Sequence, residues 1–264
     1  MKAAFIALAA LLAVSGGARA ETPLVLFAAG SLKAVMAEIA GAYAPGVGVL
    51  EMDFAPSGLL RKRIEHGEKA DVFASANMAH PRALQEAGLA GPVTMFARNE
   101  LCAIVQPGME VSSDTLLQTM LDPEIRVGTS TPKADPAGDY AFELFGKADA
   151  LSQGATKTLT EKALQLTGGP DSAKPPEGRN PYGWVMGEGK ADVFLTYCTN
   201  ARLARQDVPG LQIVPVPAPL AVGADYGLTV VDGAPAVAEE LVAFILSPEA
   251  QMIFQSHGFS PPAN

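Results

Sequence analysis

Leu24-Val25-Leu26-Phe27-Ala28-Ala29-Gly30-Ser31 passes from an apolar, strand-like run into glycine and serine, and amphipathic sequence follows from Leu32 to Tyr43. Phe54-Ala55-Pro56-Ser57-Gly58 repeats the move ahead of Leu59 to His66. Each is a strand end that becomes a helix start, the join on which α/β folds are built. A serine there can accept from the first free helix amides or turn its hydroxyl outward, while those amides point beyond the strand end. Taken singly, each is an ordinary helix cap. Side by side, two such ends form an anion-binding concavity that needs no cationic side chain.

The rest of the chain continues the alternation. Strands are expected at Leu24–Ala28, Val49–Phe54, Val72–Ser75, Val93–Ala97, Leu101–Val105, Arg126–Gly128, Val193–Tyr197, Leu211–Val216 and Gly227–Val231. Helices are expected at 32–44, 58–67, 80–87, 114–121, 137–150, 159–166, 181–188, 235–246 and 248–256. This pattern predicts an α/β fold with mixed, mainly parallel sheets covered by helices, and ligands bound beyond the carboxyl ends of strands. A short echo hints at two halves: Glu68-Lys69-Ala70-Asp71-Val72-Phe73 returns as Gly189-Lys190-Ala191-Asp192-Val193-Phe194, each time opening a strand. The Pro/Gly-rich run from Thr167 to Pro181 reads as a long loop on one half.

Residues 1–20 read as a secretory signal peptide: Lys2, an apolar run from Ala3 to Val14, and a small-x-small cleavage site at Ala18-Arg19-Ala20. The chain is therefore expected to be periplasmic, cut after Ala20, with no membrane insertion. Removing Lys2 and Arg19 leaves 17 basic against 28 acidic side chains, a formal charge of −11. Such a charge repels nucleic acid and anionic lipid, so a bound anion must be held by local dipoles. Cys102 and Cys198 both fall in or beside expected strands, where a disulfide and two buried thiols are equally compatible with an oxidising compartment. The three histidines, His66, His80 and His257, lack metal-site spacing. With no Gly-x-Ser-x-Gly elbow and no histidine-paired nucleophile, no catalytic residue is assigned and an exported enzyme is the weakest reading.

Further motifs occur in order: Ala55-Pro56-Ser57-Gly58-Leu59, Ala70-Asp71-Val72-Phe73-Ala74-Ser75-Ala76, Phe96-Ala97-Arg98-Asn99, Pro136-Ala137-Gly138-Asp139-Tyr140-Ala141 and the strand ending at Tyr197. Together with the opening stretch they resemble the periplasmic molybdate-binding proteins of ABC importers, over essentially the whole mature chain. The resemblance implies a two-lobed binding protein, a monomer that holds molybdate or tungstate in its cleft and hands it to a membrane permease, with no other cofactor. Lobe one is expected to combine 21–98 with 229–264 and lobe two to hold 99–228, with crossings near Asn99 and Leu228. A single continuous sheet running through residues 72 and 193 would sink that division. Carried over residue by residue, Ser31 and Ser57 donate from lobe one, and the Ala137 amide and Tyr197 hydroxyl from lobe two. No residue binds the metal atom directly.

One region departs from the family. Where a further amide is usual, this chain reads Arg179-Asn180-Pro181-Tyr182, and proline has no N–H. The donor there must be Asn180, Tyr182 or the Arg179 side chain, and an arginine would also suit another oxyanion or a small organic carboxylate. Asp135 and Asp139 flank the Pro-Ala-Gly turn; facing the ligand they would oppose a dianion, so they are expected to point away or to cap the helix.

Overall fold

A computed structural model describes residues 23–43 and 49–262; the expected signal peptide, residues 1–20, and its expected cleavage site lie outside them. The strands are β1 (Leu24–Ala29), β2 (Leu50–Ala55), β3 (Val72–Ser75), β4 (Thr94–Val105), β5 (Val127–Ser130), β6 (Leu164–Thr167), β7 (Val193–Tyr197), β8 (Gln212–Pro215) and β9 (Gly223–Val230). The helices are α1 (Lys33–Tyr43), α2 (Ser57–Glu65), α3 (Ala79–Glu86), α4 (Leu116–Leu121), α5 (Pro136–Ala148), α6 (Ala155–Lys162), α7 (Pro181–Gly187), α8 (Cys198–Asp207), α9 (Val237–Ile245) and α10 (Pro248–Ser256). Among the described residues no helix is long and apolar enough to cross a membrane.

The strand order is β2-β1-β3-β9-β4-β7-β5-β6, with β8 also on β4. Parallel ladders lie at the two ends, β2-β1-β3 and β7-β5-β6, while every pairing made by β4 and β9 is antiparallel. The ladders thus run unbroken from Val72 to Val193, but they change partner on one strand. Residues 94–100 of β4 pair with β9, and Leu101–Val105 pair with β7 and β8. The fold is the α/β architecture of two-lobed binding proteins, its two sheets sharing β4.

Strand alternation distributes the core to both faces. Phe27 and Phe73 pack with Leu60, Ile64 and Leu84 of α2 and α3, while Leu26, Ala28, Val72 and Ala74 pack with α1, α9 and α10. The other end repeats this, with Phe194 against α7 and α8, and Val127, Val193 and Leu195 against α5.

Three expectations are corrected. The expected strands Val93–Ala97 and Leu101–Val105 are one strand, because the polar residues between them find partners: Arg98 pairs with Asp225 and Asn99 is buried with its side chain hydrogen-bonded. The expected helix 159–166 stops at Lys162, and Leu164–Thr167 instead forms a strand parallel to β5. Helix α8 was not expected, since its apolar residues are few and mostly alanine. Cys102 of β4 and Cys198, which opens α8, form a disulfide.

Candidate functional site

Ser57 opens α2 and is fully buried, but its hydroxyl does not cap the helix. Its Oγ accepts instead from the Ala76 amide just beyond β3, at 3.0 Å. The carbonyl of the same Ala76 accepts from the Tyr197 hydroxyl at 3.2 Å. Two residues from either side of β9 and β4 in the strand order therefore meet on the backbone of one residue, Ala76.

Ser31 sits in a single helical turn, Gly30–Leu32, and likewise makes no cap. Its Oγ lies 2.9 Å from the Tyr226 hydroxyl, which also accepts from Asn99 Nδ2 at 3.3 Å. The Asn99 amide donates to Thr199 Oγ1 at 2.8 Å as well. The rings of Tyr226 and Tyr197 are 5.6 Å apart, so Ser31 and Tyr197 are joined through Tyr226. Burial holds both tyrosines well above the usual phenol range, so both stay neutral. Beside Ser31 a cavity of about 170 Å³ opens between α1, α8 and the C-terminal segment, with Arg202 and His257 in its wall.

The start of α5 faces the start of α2. The Gly58 amide donates to the Ala134 carbonyl at 2.9 Å, and a Cβ on Gly58 would lie 2.3 Å from the Lys133 carbonyl oxygen. Ala137 is buried, and its amide donates to Asp135 Oδ1 at 3.0 Å, the cap that sequence allowed for. Asp139 accepts from the Lys133 amide at 2.7 Å. Tyr140, one turn into α5, packs edge-on against Tyr197 at 6.3 Å. Loss of solvation pushes the half-buried Asp135 carboxyl up to about 6, against the pull of the Ala137 amide and the Ser130 hydroxyl; nearby Asp139 adds to the rise.

The α7 region is already engaged. Asn180 Oδ1 accepts from the amides of Tyr182 and Gly183 at 3.0 and 2.9 Å. Arg179 is exposed, and its Nε lies 3.0 Å from both carboxylate oxygens of Asp207 in α8. Tyr182 is buried, with its hydroxyl among Ser130, Thr167 and Thr196. Sequence reasoning missed Tyr226 as a site residue and gave Asn99 only a crossing role. Nothing in the local pattern of β9 distinguishes an inward tyrosine that carries a functional hydroxyl from one that only packs.

The sequence model of the family described as bacterial extracellular solute-binding protein matches residues 24–260. The uncharacterized protein PM1146 of Pasteurella multocida is 41% identical over 180 residues, 68% of this chain and 74% of that one. The periplasmic molybdate-binding protein of Azotobacter vinelandii superposes with a TM-score of 0.71 at 21% identity, covering 91% of this chain and all of the other. The sulfate-binding protein SubI of Mycobacterium tuberculosis reaches the same TM-score at 20% identity, covering 91% of this chain and 87% of its own. At those identities the two structures speak for the fold.

Proposed function

Since the chain belongs to the bacterial extracellular solute-binding proteins, we propose that it captures a tetrahedral oxyanion, molybdate or tungstate, between two lobes and delivers it to the permease of an ABC importer. The observation that carries this reading is the meeting of Ser57 and Tyr197 on Ala76, with Ser31 held beside them through Tyr226. Neutral hydroxyls and helix-start amides converge there. Such donors hold a desolvated dianion through oriented dipoles and charge-assisted hydrogen bonds. The proposed ligand set is Ser31, Ser57, the Ala137 amide and Tyr197. Arg179, Asn180 and Tyr182 join it only by giving up their present partners.

The lobes are proposed as 21–98 with 229–264, and 99–228, the change of ladder partner at Glu100 and Leu101 falling beside the first crossing. Closing them over the anion excludes water, and the spacing of fixed donors then selects by metal–oxygen bond length. The proposed setting is a periplasmic monomer released by cleavage after Ala20. Molybdate is favoured by the ordered motifs shared with that family. A second reading, sulfate or another inorganic oxyanion, draws on the equal structural likeness to a sulfate-binding protein.

Titration calorimetry of the mature protein with molybdate, tungstate, sulfate, phosphate and a dicarboxylate separates these. Molybdate and tungstate are expected to bind at least about tenfold more tightly than sulfate, a gap of ~1.4 kcal/mol. Preference for sulfate or phosphate would move the assignment to the second reading, and preference for the dicarboxylate would remove the oxyanion altogether.

A further inference from the structure

The Ala137 amide has one proton to give, and in this structure it gives it to Asp135 Oδ1. An anion that takes this amide, as the proposed function requires, strips the carboxylate of its hydrogen bond and sets a second negative charge beside it. Among the described residues no cationic side chain pairs with that carboxylate. On α5 the nearest charged group is Asp139, itself acidic. The preceding loop contributes the exposed Lys133, whose backbone amide is bound to Asp139. From β5 and α7 come the Ser130 hydroxyl and the buried Tyr182, and from β7 the buried Tyr197, all neutral. Gly168 closes the remaining side, where even a Cβ would sit 2.4 Å from Oδ2.

We propose that oxyanion capture at this site takes up one proton at Asp135, so that the carboxyl changes from acceptor of the Ala137 amide to donor towards the bound anion. The proton comes from solvent, or from the ligand when that is a hydrogen oxyanion; the O–H formed on Asp135 then points at an anion oxygen, and no other bond changes. The protein thereby reads the protonation of its surroundings as well as the shape of its ligand. Desolvation has already lifted the carboxyl to about 6 before any ligand arrives, which keeps the cost of that proton small near neutrality.

This inference rests on the proposed function, and one experiment tells their failures apart. Sulfate and molybdate are titrated calorimetrically into the wild-type protein between pH 6 and 8, where both probes keep a constant charge. The titration at pH 7 is repeated in two buffers of different ionisation enthalpy. The expected result is uptake of close to one proton per anion, with affinity falling towards tenfold per pH unit at the alkaline end. Asp135→Asn, which can still cap α5, is expected to flatten the profile and to bind more tightly than wild type at pH 8. Binding with a flat profile and no proton uptake in the wild type overturns the inference and leaves the function standing. Failure of both anions to bind at any pH overturns both.

Discussion

The two ends of the sheet are built on one plan. The run β1-α1-β2-α2-β3 gives the strand order β2-β1-β3, and β5-α5-α6-β6-α7-β7 gives β6-β5-β7. Even the join repeats. Asp71 accepts the Val25 amide at 2.7 Å and returns its own amide to the Val25 carbonyl; Asp192 makes the same exchange with Arg126, the first contact at 2.8 Å. These aspartates are the fourth residues of the two echoed segments. The helix starts differ. In the first unit neither Ser31 nor Ser57 caps its helix, while in the second Asp135 caps α5 and Asn180 caps α7. One topology therefore yields a half with helix starts free of side-chain caps and a half whose starts are already satisfied. On the proposed function an anion would have to compete for the second half, and the proposed pH dependence would arise there.

The largest effect should come from the covalent link beside the second unit, where β4 is tied to the start of α8. Reducing the Cys102–Cys198 disulfide, which closes a separation of 96 residues, is expected to cost about 3–5 kcal/mol of folding stability, read by denaturant titration with and without reductant. A change below about 1 kcal/mol would mean that the link constrains little. Next comes the contact between the units. Gly58→Ala places a methyl against the Lys133 and Ala134 carbonyls. It should weaken oxyanion binding about a hundredfold, ~2.7 kcal/mol, and lower the melting temperature as well, because the backbone facing it has to shift. Wild-type affinity in that variant would show that α2 and α5 do not abut in the bound form.

Ser57→Ala removes a hydroxyl of the proposed ligand set and is expected to weaken binding about tenfold or more. Ser57 Oγ also satisfies the buried Ala76 amide, so a stability loss of about 1–3 kcal/mol is expected alongside. A drop in stability with unchanged affinity would confine Ser57 to the first unit's architecture. Asp135→Asn tests the second unit's cap through stability without ligand. The folded carboxyl is raised from 3.8 to about 6, so its stabilising protonated form is present at low pH and lost as pH rises through about 6. The variant should melt ~2–4 °C above wild type at pH 8 and level with it at pH 4. The opposite order would make the carboxylate a net stabiliser of α5.

The smallest effect is expected at Arg179. It is exposed and paired with Asp207, so Arg179→Ala should change stability by under about 0.5 kcal/mol and bind molybdate like the parent. A sharp loss of binding, partly restored in Arg179→Lys, would return Arg179 to the ligand set and weaken the case for molybdate.

The sequence by itself determined the alternation of strand and helix, the two serine-bearing strand ends and the echo at Asp71 and Asp192. Each is local: apolar runs, small residues at joins and the period of a helix are written in neighbouring residues. It also carried the ordered motifs that mark the family. Only the tertiary structure decided that Arg98-Asn99-Glu100 lie inside a strand, since their partners Asp225 and Thr199 come from distant parts of the chain. The strand at Leu164–Thr167 likewise needed β5 beside it to outcompete a helix. The contacts of Tyr226 and Asp135 were hidden for the same reason. A hydroxyl or a carboxyl acquires its chemistry from what surrounds it, and burial, shared amides and missing counter-charges are properties of packing, which no stretch of neighbouring residues records.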